Sequence, residues 1–164
     1  MGKNRGTKIS YNRWEFLLEA VSAAAVVAGG ALLIYYWPQL PELVPRHYDF
    51  QGTVDAWGGK GIVAALPLLN LVLYLLLTLT RIFGPALSKE GSSPRALILA
   101  MEMLAWIKAA TAVTFSYLTW GTVAIALGRA EGLAPIAMPL FISITLGATA
   151  IYCFRIFRDQ QAGG

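Results

Sequence analysis

Apolar residues in this chain fall into four long runs. The first extends from about Trp14 to Trp37 and the second from about Gly61 to Phe83. The third covers about Trp106 to Leu127 and the fourth about Leu133 to Phe157. Each holds about 20 residues or more, enough to cross roughly 30 Å of hydrocarbon at a helical rise of about 1.5 Å per residue. Period-2 alternation, the mark of a membrane β-strand, is absent. In hydrocarbon the backbone amides must be bonded within their own segment, so these runs predict helices. The pattern describes an all-α integral membrane protein: one domain over residues 1–164, four transmembrane helices, and a folded extracytoplasmic loop at residues 38–60.

Two details of the pattern need a choice. The first run has a basic start and small residues at Ser22–Ala25, as a cleaved signal would. Yet Glu15 and Glu19 precede its core and apolar sequence continues to Trp37, so it reads as a retained helix. The third helix has a second admissible start near residue 95, because Pro94 suits a first-turn position. It would then project from the bilayer, leaving Glu102 in water or headgroups and Lys108 snorkelling. That arrangement is the expectation. The alternative buries Glu102 and Lys108 in the bundle, where they would be functional by default.

Composition agrees with the bilayer as solvent. Of 164 residues, 57% are hydrophobic and 13% charged, with a mean hydropathy of +0.58. A soluble domain would carry about a quarter charged residues. The single cysteine, Cys153, excludes an intramolecular disulfide and a cysteine-based zinc site, and reads as a lipid-facing or packing residue.

Net charge is +4, and its distribution predicts topology. One side takes ten basic residues: Lys3, Arg5, Lys8, Arg13, Arg81, Lys89, Arg95, Lys108, Arg155 and Arg158. The other takes Arg46, Lys60 and Arg129. The richer side should be cytoplasmic, which puts both termini inside the cell membrane. Tyr11, Trp14 and Trp106 fit an inner aromatic belt, and Tyr35, Tyr36, Trp37 and Trp57 an outer one. The bias accounts for the basic residues without nucleic acid, and attraction to anionic lipid is the simpler consequence.

Close packing must hold such a bundle together, since lipid tails are as apolar as leucine. Ala20, Ala24 and Ala28, with Ala25 and Gly29 beside them, form a small-residue stripe that should be the packing face of the first helix. Asn70 lies mid-span on the second helix and needs a partner: an interhelical hydrogen bond is expected, a substrate contact is the alternative. Pro67, Pro135 and Pro139 should bend or start helices near the outer surface. The hydroxyls of Thr111, Thr114, Ser116, Thr119 and Thr122 can bond back to their own helix. No acidic residue or histidine stands in the middle of a span, so no charged transport path is expected.

The long outer connection, Pro38–Lys60, carries the most information, since helical hairpins ordinarily use a few residues. Pro38, Pro41 and Pro45 favour extended backbone, and Gly52, Gly58 and Gly59 permit tight turns. Leu40, Leu43, Val44, Tyr48, Phe50 and Trp57 are too apolar for a solvated loop, so a folded cap is expected. It holds the only histidine, His47, with Glu42, Asp49 and Asp55 nearby. His47 can organise the loop by bonding Asp55. Alternatively His47, Asp49 and Asp55 are weak candidates for a divalent cation. Asp55 can instead cap the turn into the second helix. Lys60 should anchor that helix among headgroups.

The run L-P-x-x-V-P-x-H-Y-x-x-x-G-x-x-D-x-W-G-x-K, from Leu40 to Lys60, resembles the signature of a prokaryotic membrane domain of unknown function. That domain forms the amino-terminal half of SdpI-like proteins. The resemblance covers roughly residues 14–83 and rests on Pro41, Pro45, His47, Gly52, Asp55, Trp57 and Lys60. The family often has Ser or Asn where Gly59 stands. Its basic, proline- and threonine-containing second motif has no counterpart after residue 95. The resemblance implies immunity to, or sensing of, an external peptide, with no catalytic residues and no cofactor.

The expected function is therefore a non-enzymatic membrane protein that meets an external ligand through the outer loop. Its ligand-binding or loop-organising residues would be His47, Asp49, Asp55, Trp57, Lys60, Pro45 and Gly52. The alternative is an accessory subunit of a larger membrane assembly, with other membrane proteins as partners. A metal-assisted hydrolase built on His47, Asp49 and Asp55 is the remote enzymatic reading.

Overall fold

A computed structural model describes residues 12–87 and 93–162. Helix α1 is Arg13–Tyr36 and runs into a short 3-10 turn at Trp37–Gln39. Strands β1 (Leu43–Tyr48) and β2 (Val54–Gly59) follow, then α2 (Gly61–Leu87), α3 (Pro94–Ala126) and α4 (Ala137–Ala162). All four helices are long and apolar enough to span a membrane. The fold is a four-helix membrane bundle with a small two-stranded sheet between its first two helices. Lys3, Arg5, Lys8, Tyr11 and Lys89, used above for topology, lie outside the described residues.

Local chemistry sets the helix ends. Asn12 caps α1: its side chain accepts from the Glu15 amide at 2.8 Å while Glu15 accepts from the Asn12 amide at 2.8 Å. This reciprocal pair satisfies two donors that a helix start leaves open. Ser93 caps α3 by accepting from the Ala96 amide, with Pro94 in the first turn. α3 thus takes the earlier of its two starts. Its 33 residues extend about 50 Å, more than the hydrocarbon thickness. α4 begins at Ala137 rather than near Leu133, because the intervening backbone is committed elsewhere. The Leu133 amide donates to Gly52 O at 2.8 Å and the Ala134 amide to Tyr117 Oη at 2.8 Å.

α3 is the centre of the bundle and packs against α1, α2 and α4, whereas α4 packs chiefly on α3. The packing face of α1 is Glu15, Ser22, Gly29 and Leu33, so Gly29 of the expected small-residue stripe lies on it and its alanines at 20, 24 and 28 do not. Ala20, Ala24 and Ala28 are exposed. The charged groups decide this: Glu15 and Glu19 must turn inward to find partners on α2 and α3, and the alanines are carried to the lipid side. Gly29 allows the closest approach, since a Cβ there would stand 3.0 Å from Ser116 Oγ. Cys153 is exposed on α4.

Candidate functional site

The connection between α1 and α2 folds as an antiparallel hairpin with Leu43 opposite Gly59, Val44 opposite Gly58 and Pro45 opposite Trp57. The register shifts after Pro45, whose missing amide is tolerated because the sheet has only two strands. Asp49 builds the turn: its Oδ1 accepts from the amides of Gln51 at 2.9 Å and Thr53 at 2.8 Å. Gly52 takes φ +85°, open to glycine without cost.

The hairpin lies down on the ends of the helices. Val44 and Pro45 are fully buried, and Val44 joins Leu33, Leu40, Val63 and Val123 in a small core under the sheet. The tip docks on the α3–α4 connection through a bridge between Thr53 and Gly132 and through Gly52 O. Tyr48 Oη shares a 2.7 Å hydrogen bond with Thr122 Oγ1 of α3. Burial pushes the Tyr48 hydroxyl above its ordinary pKa, against a smaller opposing effect of the Thr122 bond.

Between this roof and the helices lies a cavity of about 350 Å³. Pro45–Phe50 and Gly52 form its roof. Ile62, Val63, Ala65 and Leu66 of α2 form one wall, and Leu133–Pro135 with Met138 the other. Leu118 and Thr122 of α3 close the back. An apolar cavity with a few polar groups at one end is the usual form of a small-ligand site.

The residues singled out from sequence take different places. His47 Nδ1 and Asp55 Oδ1 are 2.7 Å apart, bonded across the two strands, with both side chains substantially exposed. Asp55 stands within β2 and so does not cap α2. Asp49 spends its carboxylate on the turn. Among the described residues, no three His, Cys, Asp or Glu side chains gather as a metal set would require. Pro45 and Gly52 line the cavity, while Trp57 is 54% exposed. Lys60 places its ammonium 5.0 Å from the Trp37 ring centre, a cation–π contact at the start of α2. Asn70, fully buried, donates to Ala112 O and Ser116 Oγ, each at 3.1 Å.

Ser116 in turn donates to Ala25 O at 2.6 Å, so Asn70 and Ser116 tie three helices together. Thr119 bonds back to Phe115 O as expected, but Ser116 and Thr122 reach other elements. Asn70 Oδ1 has no partner among the described residues.

A second polar cluster was not foreseen. Lys108 does not snorkel: it is 2% exposed, bonded to Glu19 of α1, and donates to Thr78 of α2 at 3.2 Å. Tyr74 donates to the other Glu19 oxygen at 2.7 Å. One layer closer to the termini, Arg81 Nη1 meets Glu15 Oε1 at 2.8 Å and Met101 O at 3.2 Å. Glu102 is half-buried and accepts from Asn12 at 3.3 Å. Two acids four residues apart on one apolar helix were the available signal. They call for two cations at matching depth, and Arg81 and Lys108 supply them.

These features define a class: a four-helix membrane protein whose first connection is a β-hairpin cap docked over a cavity. Residues 24–71 match the family described as Domain of unknown function (DUF1648), a span that contains the second half of α1, the whole hairpin and the start of α2. No curated protein matches the chain, and no solved structure matches it.

Proposed function

We propose that the protein is a non-enzymatic membrane protein of the SdpI-like type that holds an external ligand in the cavity beneath its hairpin. Sensing of, or immunity to, that ligand would be the outcome. The cavity carries this reading: it is built largely by the segment that matches the family, and it lies at the hairpin end of the bundle. The loop-organising roles of Asp49, which accepts from two turn amides, and of His47, which pairs with Asp55, support the same reading.

In the same reading the protein resides in the cytoplasmic membrane with the hairpin outside and both termini inside. Arg13, Arg95, Arg155 and Arg158 stand near the terminal ends of the helices, against Arg46, Lys60 and Arg129 on the hairpin side. Lys108 and Arg81 no longer belong in that count, because they are buried against Glu19 and Glu15.

Extraction from native membranes in mild detergent, followed by native mass spectrometry, tests the proposal. The wild-type protein should retain a mass that a cavity-filling Met138→Trp variant of equal folding and yield lacks. Equal masses in both proteins would contradict it. Stoichiometric retention of another membrane protein by both would favour the accessory-subunit reading instead.

A further inference from the structure

The residues that line the cavity come from the hairpin above, from α2 and the α3–α4 connection with α4 at its sides, and from α3 behind. α2 and α4 both pack on α3, and their own mutual contact is slight. The walls they present, Ile62, Ala65 and Leu66 on one side and Met138 on the other, carry no charge. Ala65 is exposed although it lines the cavity. A gap between two membrane helices opens to lipid, not water.

Its depth is fixed by the aromatic rings around it. Trp37, Phe50 and Trp57 are exposed on the hairpin side, where such rings mark the headgroup layer. Ala65 is four residues into α2, about 6 Å below that layer. The opening therefore meets the upper acyl region of the leaflet. At the roof the chemistry changes. Tyr48 and Thr122 offer hydroxyls, and Arg46 offers a guanidinium that forms no ion pair among the described residues. Its stem lies across Gly58, where an added Cβ would stand 3.1 Å from Arg46 Cδ. This contact limits where the guanidinium can reach.

We infer that the occupant is an amphiphile taken laterally from the leaflet on the hairpin side, its chain between α2 and α4 and an anionic phosphate head beneath the hairpin near Arg46. The inference rests on the reading of the cavity as a ligand site and names the chemistry of what enters it. A water-borne peptide has no need of an apolar side opening. A lipid-like molecule does, because its chain can remain partly in the bilayer while its head is held.

The test uses the full chain in phosphatidylcholine nanodiscs carrying a trace of phosphatidylglycerol with a diazirine in its acyl chain. After illumination, labelled peptides are mapped. Label should concentrate on residues 62–66 and 133–138 and be competed by unlabelled phosphatidylglycerol but not by phosphatidylcholine or inorganic phosphate. Ala65→Trp should abolish the competed fraction, with Met138→Trp as the substitute if the first variant fails to fold. Arg46→Gln should weaken competition about tenfold, the loss of one charge-assisted contact. Labelling of the lipid-facing α1 peptide containing Val21, Val27 and Ile34 should be unchanged throughout. If cavity and α1 labelling respond alike to competitors and variants, the contact is ordinary boundary lipid and the inference fails. If the cavity instead retains a peptide mass that photolipid does not displace, the amphiphile is wrong and the ligand site stands. If neither lipid nor any other mass depends on the cavity, both readings fall.

Discussion

Gly52 at the hairpin tip and Leu133 between α3 and α4 meet backbone to backbone: the Leu133 amide donates to Gly52 O at 2.8 Å, and a Cβ on Gly52 would stand 2.3 Å from Leu133 O. One contact thus decides two things. It latches the cap, and it delays the start of α4 to Ala137.

Gly52→Ala should therefore unlatch the cap. The positive φ alone costs about 1–3 kcal/mol for a residue with a Cβ, and the collision with Leu133 adds to it. The bundle below should survive. Limited proteolysis in detergent should show cleavage within residues 38–60 that the wild type resists, with helical content retained.

Lys108→Met should be far more damaging than its single charge suggests. It leaves Glu19 facing the bundle without its cation, a change that costs about 3–5 kcal/mol at a buried pair. Glu19→Gln combined with Lys108→Met should recover most of that loss. Thermal unfolding of the three proteins in detergent measures both effects. A single variant as stable as wild type would show that the pair carries no structural weight.

How much of this was legible in the sequence varies with the residue. The four spans follow from apolar run length, and the folded cap from its prolines, glycines and apolar residues. The strands are not legible, because Val44, Pro45 and Trp57 give no clean alternation and the position of Asp49 beside His47 suits a metal ligand as well as a turn former. The alanine stripe misled for a related reason: small residues permit close packing, but buried charges compel a helix to rotate. Glu19 and Lys108 are 89 residues apart, and nothing in either run states which faces meet. The cavity depends on the slight contact between α2 and α4, a tertiary fact with no local signature.

Tyr48→Phe separates a buried hydroxyl from the ring that carries it. At neutral pH the loss should be about 1 kcal/mol, the usual worth of one hydrogen bond. Because burial raises the Tyr48 pKa above 10.0, the fold holds the neutral phenol. That contribution is complete below the unfolded value and is lost as pH rises from there through the raised folded value. Wild-type stability should consequently fall more steeply than that of Tyr48→Phe above about pH 10. Parallel slopes in chemical unfolding would contradict this.

His47→Ala and Asp55→Ala should leave the unfolding midpoint almost unchanged. Their side chains are 69% and 46% exposed, and pairs of that kind contribute about 0–1 kcal/mol. Ligand retention in the native mass measurement is then a clean readout of what the pair does. Lost retention with intact stability would assign it to recognition.

The most direct measurement addresses sidedness. With Cys153→Ser as background, single cysteines are placed at Gln51 in the hairpin and at Gln160 near the end of α4, both exposed positions. A membrane-impermeant maleimide applied to intact cells should label Gln51→Cys at once, and Gln160→Cys only after permeabilisation. Labelling of Gln160→Cys alone in intact cells would turn the protein over and contradict a cap that receives an external ligand.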